Sequence, residues 1–416
     1  MHPLVPLAAA HRATTRRRSS CRRRSTLRDR RPPPPHPTPG PGARRWHHGR
    51  SARPPVRERT PAVVSRDTSG TPGAVDETVG SVGEFALIAR ITEGRTYPDS
   101  VVLGPGDDAA VLAAADGRVV VTTDMLVEGR HFRRDWSSAL DIGRKAIAQN
   151  GADVAAMGAR CTGFVVALSC PSDVPMSWID RLNAGLWEEA VRAGAAVVGG
   201  DTTGGDRLVL SVTALGDLAG RRPVRRDGAR PGDVLAVSGP TGASAAGLAV
   251  LTAGVESHAA LESHAGVESH AGVESHADVV AAHRVPQPDY DAGPIASRAG
   301  ATAMCDVSDG LVADATHLAV ASGVVLAVES DRLPVSAAVR SAAADLGVDV
   351  LDWVLGGGED HVLLATFPAD AALPAGWTVV GSARADGGGD GGGAGDGGTV
   401  TVDGHEWTGP RGWTSF

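Results

Sequence analysis

The sequence is poor in lysine and in aromatic residues. Lys145 is the only lysine among 40 basic residues, and aromatic side chains make up 4% of the 416 residues. Alanine, glycine and valine are plentiful instead, which favours an α/β protein packed through small side chains. The four cysteines (Cys21, Cys161, Cys170 and Cys305) form no Cys-x-x-Cys pair. This argues against a disulfide framework or a zinc knuckle and predicts buried free thiols in a reducing cytoplasm.

Membrane and common nucleotide-binding motifs are also missing. No run of 18 apolar residues is present, so we predict no membrane-spanning helix and no membrane partner. There is no P-loop, because the lone lysine lies in Asp-Ile-Gly-Arg-Lys-Ala, and there is no His-Arg-Asp set of the protein-kinase type. An enzyme acting on nucleotide phosphates with this sequence must hold them through magnesium bound by carboxylates.

The net charge of −8 combines two opposite parts. Residues 1–60 contain 16 arginines and only two acidic residues, Asp29 and Glu58, so the rest of the chain is strongly acidic. An acidic body is a poor binder of nucleic acid and a good host for divalent cations. We therefore expect no nucleic-acid partner for the folded part.

Composition also suggests how the chain is organised. Residues 1–75 are rich in Arg, Pro and Ser and lack an apolar signal-peptide core, which predicts a disordered extension or a start codon placed too far upstream. A transit-type or nucleic-acid-binding arm is the alternative. We place an N-terminal α/β domain at 80–229 and a C-terminal α+β domain at 230–416. Residues 254–277, a Glu-Ser-His-Ala repeat, and the Gly-rich loop 386–398 read as surface insertions, although the repeated histidines could instead bind a transition metal.

The hydrophobic pattern predicts alternating strands and helices. Apolar spacing indicates a helix at 83–91, a helix at 140–157 interrupted near Asn150-Gly151, and a helix at 178–193. Runs rich in β-branched residues indicate strands at 119–123, 208–215 and 234–238. Further helices are expected near 309–321 and 335–346, and further strands at 323–328 and 361–367.

Six acidic motifs recur where a predicted strand or a glycine turn ends. They are Gly106-Asp107-Asp108, Thr122-Thr123-Asp124, Asn150-Gly151-Ala152-Asp153, Gly199-Gly200-Asp201-Thr202, Asp306-Val307-Ser308-Asp309-Gly310 and Gly357-Gly358-Glu359-Asp360. Magnesium takes oxygen ligands, commonly one or two carboxylates together with substrate phosphates. Six such motifs therefore predict one multi-magnesium phosphate site assembled from the whole fold.

Single motifs also allow simpler interpretations. The Gly104–Asp108 turn and the end of the strand at Thr122–Asp124 need no ligand, and Asp153 could cap a helix after the predicted break. Ser308 or Asp309 could likewise cap the following helix. Lys145 is either a compact charge near phosphate, a role that arginine fills poorly, or a chance survivor on a helix surface.

Taken in order, these motifs resemble bacterial thiamine-monophosphate kinase. The resemblance rests on Gly-Asp-Asp-Ala-Ala, Thr-Thr-Asp-Met-Leu-Val-Glu-Gly-x-His-Phe, Lys-Ala-x-Ala-x-Asn-x-x-Asp, Gly-Gly-Asp-Thr, Asp-x-Ser-Asp-Gly-Leu and Gly-Gly-Glu-Asp, and covers about residues 80–416. It implies a two-domain, aminoimidazole ribonucleotide synthetase-like α/β (α+β) fold, with an N-terminal mixed sheet and helices. Two departures are Ala152 before Asp153, where the family has serine, and His361 after Asp360, where the family has tyrosine.

The resemblance also implies roles for individual residues. Magnesium ligands would be Asp108, Thr122, Thr123, Asp124, Asp153, Asp201, Asp306 and Asp309. Contacts to ATP would come from Gly200, Asp201, Arg226 and Ser308, and contacts to the substrate from His131, Glu359 and Trp413. The family further implies several Mg²⁺ ions, ATP as co-substrate, a homodimer and a cytoplasmic location.

The implied reaction converts ATP and thiamine monophosphate to ADP and thiamine diphosphate by in-line transfer. Its nucleophile is a phosphate oxygen that is ionised at neutral pH, so no general base is expected. Two rivals stay open at this point. One is a ligase-type synthetase of the same fold acting on an amide, and the other is a non-catalytic metal or nucleic-acid binder using the histidine repeat and the arginine-rich segment.

Overall fold

The fold is described from a computed structural model covering residues 77–82, 84–105, 110–261, 275–385, 398–410 and 412. The predicted extension at 1–75 lies outside the described residues. So do the turn at 106–109, most of the repeat (262–274), most of the Gly-rich loop (386–397) and Trp413.

The first half of the described chain forms a four-stranded sheet backed by two long helices. Its elements are α1 (Val79–Val82), α2 (Glu84–Thr92), β1 (Val101–Leu103), β2 (Val111–Leu112), β3 (Val120–Val127), α3 (Ala139–Ala156), β4 (Arg160–Cys170), α4 (Met176–Arg192), β5 (Val197–Gly204) and β6 (Val209–Asp217). The strand order in the sheet is β3-β6-β4-β5, and only β4 and β5 run parallel. Strands β1 and β2 form a separate antiparallel pair.

The second half forms a six-stranded mixed sheet. Its elements are β7 (Val234–Val237), α5 (Ala243–Leu261), α6 (Ala277–Arg284), α7 (Ala292–Arg298), β8 (Ala303–Asp306), α8 (Leu311–Ser322), β9 (Val324–Val328), a 3₁₀ turn (Ser330–Arg332), α9 (Ala337–Leu346), α10 (Val350–Gly356), β10 (Leu363–Phe367), β11 (Thr378–Ala385) and β12 (Thr399–Val402). The order is β12-β9-β11-β7-β10-β8. The two sheets use residues on either side of 218–233, and the domain boundary near 229 stays a prediction.

The four-stranded sheet has one buried and one exposed face. Along β6, Leu210, Val212 and Ala214 are buried against the helices, because successive side chains of a strand point to opposite faces. On the other face Val121 and Met125 are 59% and 52% exposed. We call this second side the outer face.

The predicted break in the helix at 140–157 is wrong, since α3 is continuous from Ala139 to Ala156. Asn150 stays helical because its side chain is used twice: Nδ2 donates to the Ala146 carbonyl, and Oδ1 accepts from the Asp124 amide. Gly151 is required by packing, since a Cβ there would lie 2.5 Å from the Tyr290 ring. Asp153 therefore lies inside a helix and does not cap one.

The two described ends of the repeat connect to helices of the fold. Helix α5 runs on to Leu261, so the first repeat unit continues a helix. The last histidine of the repeat, His276, is 8% exposed, and its Nε2 lies 3.1 Å from a carboxylate oxygen of Asp345. That the repeat is a surface insertion stays a prediction, because residues 262–274 lie outside the described residues.

Two simpler expectations can be checked directly. Cys161, Cys170 and Cys305 are buried free thiols, as predicted. Among the described residues, no helix has the length and apolar content needed to cross a membrane.

Candidate active site

Helix α3 brings together carboxylates from both halves of the chain. It packs on β3, β4 and β6 of the first sheet and also contacts β8 of the second. Asp124 on β3, Asp153 on α3 and Asp306 at the end of β8 consequently face one another, and we call them the carboxylate cluster. Thr122 joins this group, because its hydroxyl donates to Asp153 Oδ2 at 2.7 Å.

Asp153 and Asp124 of this cluster resist ionisation. Burial, reinforced by the neighbouring Asp306 and Asp124, raises the pKa of Asp153 to about 7. Burial also raises the pKa of Asp124, although His361 partly opposes the shift. Mutual repulsion between half-buried carboxylates is relieved by a bound cation. The donor set therefore fits a divalent metal ion.

A cleft of about 650 Å³ opens on one side of this cluster. It is lined by Thr122, Asp153 and Asp306 together with Arg226, the arginine that the sequence assigned to ATP. A cation-binding set facing a guanidinium suits a polyphosphate, since metal and arginine can share its negative charge.

The loop after β8 is held by Asp314, a residue that the sequence analysis missed. One of its carboxylate oxygens accepts from the backbone amides of Ser308, Asp309 and Gly310 at 2.9, 3.0 and 3.1 Å. Asp309 lies near Asp314 and His317, with ligand atoms within 4.8 Å of one another. Asp314 thus fixes the loop that carries the predicted Ser308 and Asp309.

A strained loop connects the carboxylate cluster to a second cavity. Glu359 and His361 both have left-handed backbones, with φ of 63° and 54°, an arrangement that costs on the order of 1–3 kcal/mol per residue. Their amides donate to the carbonyls of Ser308 and Val307 at 2.7 and 2.9 Å. His361 Nδ1 lies 3.0 Å from Asp306 Oδ2, in the cluster. Between the two, Asp360 accepts amides at the start of α5.

The second cavity, of about 520 Å³, contains two of the three predicted substrate residues. His131 and Glu359 line it together with Trp136 and Trp353, which supply large aromatic surfaces. His131 Nδ1 accepts the Val127 amide at 3.0 Å, which fixes the ring beside the end of β3. Burial lowers the pKa of His131 and favours its neutral form. The cavity suits a flat heterocycle that carries positive charge.

Lys145 does not lie on a helix surface, which was one of its two interpretations from sequence, and a role near phosphate stays a prediction. Its side chain is 2% exposed, so it is not on a helix surface, and its contacts are to protein groups at the back of the second cavity. Lys145 lies in the middle of α3, and the Glu359 that it contacts lies 214 residues further along the chain. No local sequence pattern indicates such a contact.

Two predicted magnesium ligands, Thr123 and Asp201, lie away from the carboxylate cluster of their own subunit. The strand register aligns Asp124, Val212, Val166 and Gly200 in one row across the sheet. Strand β5 is therefore three inter-strand spacings, or about 14 Å, from β3. Asp201 is the next residue along β5 and is exposed on the outer face. Thr123 shares that face, where its hydroxyl accepts from Thr213 at 3.2 Å. Predicted ligand Asp108 lies outside the described residues.

Comparison with known proteins agrees with this architecture. The family model "AIR synthase related protein, N-terminal domain" matches residues 106–218, which include β3, α3 and β5. The fold and the clustered carboxylates thus define an AIR synthase related protein.

More specific matches extend over most of the chain. The thiamine-monophosphate kinase of Mycobacterium tuberculosis is 48% identical over 340 residues, covering 82% of this chain and 93% of that protein. The crystal structure of thiamine monophosphate kinase from Aquifex aeolicus matches with a TM-score of 0.60 at 31% identity, over 78% of this chain and 98% of that one. A structure of AaThiL complexed with AMPPCP and TMP gives 0.62 at 32% identity, over 80% and 97%. The chain belongs to the thiamine-monophosphate kinase family, which confirms the predicted fold class and family.

Proposed function

We propose that this enzyme transfers the γ-phosphoryl group of ATP to the phosphate of thiamine monophosphate, giving ADP and thiamine diphosphate. The observation that carries the proposal is the loop from Gly357 to His361. One of its ends contacts Asp306 in the carboxylate cluster, and Glu359 lines the cavity with the aromatic walls. A metal–phosphate site and a pocket for a heterocyclic cation are therefore built side by side.

The carboxylate cluster would hold Mg²⁺. Asp124, Asp153 and Asp306 would be its ligands in this subunit, with Thr122 and Asp309 nearby, and the ions would neutralise charge on the two phosphate groups as they approach. The protein's own residues supply orientation: Asn150 fixes the backbone at Asp124, His361 holds Asp306, and Asp314 holds the loop bearing Ser308. The acceptor phosphate is already ionised, so this arrangement needs no general base.

We further propose that the site is completed by a second copy of the chain. Asp201 and Thr123 face away from the carboxylate cluster of their own subunit, on an outer face where Val121, Met125 and Val165 are exposed. Exposed apolar side chains on a sheet are common at interfaces between subunits. A homodimer that used this face and placed edge strand β5 of one subunit beside edge strand β3 of the other would bring Asp201 toward the cluster of the other subunit.

The edge strand that bears Asp201 also borders a third cavity, of about 530 Å³. Its walls include Ile88, Leu186 and Trp187, and it reaches the glycines at 199 and 200. An apolar cavity beside glycine-rich backbone suits a purine base whose phosphates leave along the glycines. This position supports the assignment of Gly200 and Asp201 to ATP.

The cytoplasmic location implied by the family stays a prediction.

Product analysis tests the reaction and its selectivity. Incubation with ATP, Mg²⁺ and thiamine monophosphate should give thiamine diphosphate and ADP in equal amounts, resolved by chromatography. Free thiamine under the same conditions should react at least about 100-fold more slowly, because a primary hydroxyl requires a base to remove its proton. Comparable turnover of free thiamine, or no turnover of either compound, would be incompatible with the proposed function.

A further inference from the structure

Lys145 lies behind the wall of the second cavity and binds three separate segments. Its Nζ is 3.0 Å from Oε1 and 3.1 Å from Oε2 of Glu359, 3.1 Å from the His131 carbonyl and 3.4 Å from the His283 carbonyl. His131 belongs to the first half of the chain, whereas His283 ends α6 and Glu359 lies before β10. A single ammonium group therefore joins both halves at the cavity.

The chemistry of these contacts explains why this position is lysine in a chain that otherwise uses arginine. An ammonium has three N–H donors around one atom, and the acceptors here converge on one point from three directions. The planar fork of arginine is larger and presents its donors in one plane, so it cannot meet them all. Burying a charge is costly unless it is paired and hydrogen-bonded, as Lys145 is.

Glu359 depends on this contact for both its charge and its position. Burial would raise the pKa of Glu359, and the Lys145 ammonium holds it below its usual value. The Glu359 backbone is left-handed, and its side chain is 28% exposed, at the cavity surface. A carboxylate on a strained loop needs an external group to keep one orientation.

We propose that Lys145 is a positioning residue for thiamine monophosphate, which holds the Glu359 carboxylate in place and sets the spacing between the His131 and Glu359 walls of the cavity. Lys145 does this without touching the substrate. The inference rests on the proposed function, and it adds a specificity-determining residue that acts on one of the two substrates. Three of the predicted ATP contacts (Gly200, Asp201 and Arg226) lie elsewhere, and Asp314 separately holds Ser308, so KM for ATP should be little affected.

Steady-state kinetics separate this role from a purely structural one. Lys145→Met should raise KM for thiamine monophosphate by about tenfold or more, because it removes the ammonium that holds the Glu359 carboxylate at the cavity, and should change KM for ATP by less than about threefold. Lys145→Arg should also have a raised KM for thiamine monophosphate, since the guanidinium donors cannot all reach the acceptors that surround the lysine ammonium. In a protein that already carries Glu359→Gln, adding Lys145→Met should raise KM for thiamine monophosphate by less than about threefold relative to Glu359→Gln alone.

The neighbouring residue provides a matched control. Arg144, also on α3, pairs through Nε with the buried carboxylate of Glu189 at 3.0 Å, away from the cavity. Arg144→Met should lower thermal stability and leave both KM values within about twofold.

Three results would overturn the inference while the wild-type protein converts thiamine monophosphate. They are an unchanged KM in Lys145→Met, equal increases for both substrates, or full recovery in Lys145→Arg. If Lys145→Met does not fold, the Lys145→Met/Glu359→Gln double variant, which buries no lone charge, is compared with Glu359→Gln. A tenfold difference between those two would also contradict it. Failure of the proposed function is distinguishable, since the wild type itself would then be inactive.

Discussion

Asp153→Asn should lower kcat for thiamine diphosphate formation by about 100- to 1,000-fold and leave the fold intact. This loss in kcat corresponds to several kcal/mol of charge stabilisation in the transition state, to order of magnitude. Asp153 belongs to the carboxylate cluster and accepts the Thr122 hydroxyl, so the substitution removes the charge of a proposed magnesium ligand without opening a cavity. Turnover is measured at saturating ATP, thiamine monophosphate and Mg²⁺, with circular dichroism as the folding check. Asp180→Asn, at an exposed carboxylate paired with Arg90, is the control and should retain activity.

The same variant should also change stability in a way that reports on the metal. The pKa of Asp153 is raised from 3.8 to about 7 in the folded protein, so without metal the unfolded state ionises more easily and stability falls as pH rises through that window. In EDTA at pH 8, Asp153→Asn should therefore melt above wild type, and the difference should vanish below about pH 4. Added Mg²⁺ should stabilise the wild type more and reduce or reverse the order.

Two outcomes would remove Asp153 from the metal site. The first is turnover within about threefold of wild type at saturating Mg²⁺. The second is a melting temperature that Mg²⁺ raises equally in the wild type and in the variant.

The strands and helices could be read from sequence where periodicity is strong. The predicted helix at 178–193 and strand at 208–215 correspond to α4 and β6 with ends shifted by one or two residues. The break near Gly151 was misjudged because glycine and asparagine normally disfavour a helix interior. Here tertiary contacts decide, since Tyr290 occupies the space beside Gly151 and Asp124 uses the Asn150 side chain.

The candidate site could be recognised from sequence as a set of acidic motifs. The sequence did not show which of these residues lie in the carboxylate cluster and which lie on the outer face. Thr122 and Asp124 point to one face of β3 and Thr123 points to the other, because side chains alternate along a strand. The strand order of the sheet places all three far from Asp201. Neither follows from motif spacing, because strand order depends on the packing of α3 and α4. Asp314 and Lys145 were missed or misplaced for a related reason: each acts on residues that become neighbours only in the fold.

A heterodimer of two inactive variants should recover about half of wild-type activity. Asp153→Asn and Asp201→Asn should each abolish most turnover in their own homodimers, if both residues serve the phosphate site. When each active site combines the carboxylate cluster of one subunit with Asp201 of the other, a heterodimer holds one site with both mutations and one with neither. Recovery to about half follows from counting intact sites and needs no assumption about their geometry.

The experiment requires two affinity tags, co-expression and sequential purification, so that only mixed dimers are assayed. Light scattering tests whether the chain forms a dimer, and mixed wild-type/Asp153→Asn dimers serve as the reference for a single lost site. If Asp201 acts within its own subunit, both sites of the heterodimer carry one mutation and activity stays at the level of the parents. The exposed positions of Thr123 and Asp201 on the outer face, opposite the carboxylate cluster, favour the shared site. Activity at the parental level would show instead that Asp201 serves the active site of its own subunit.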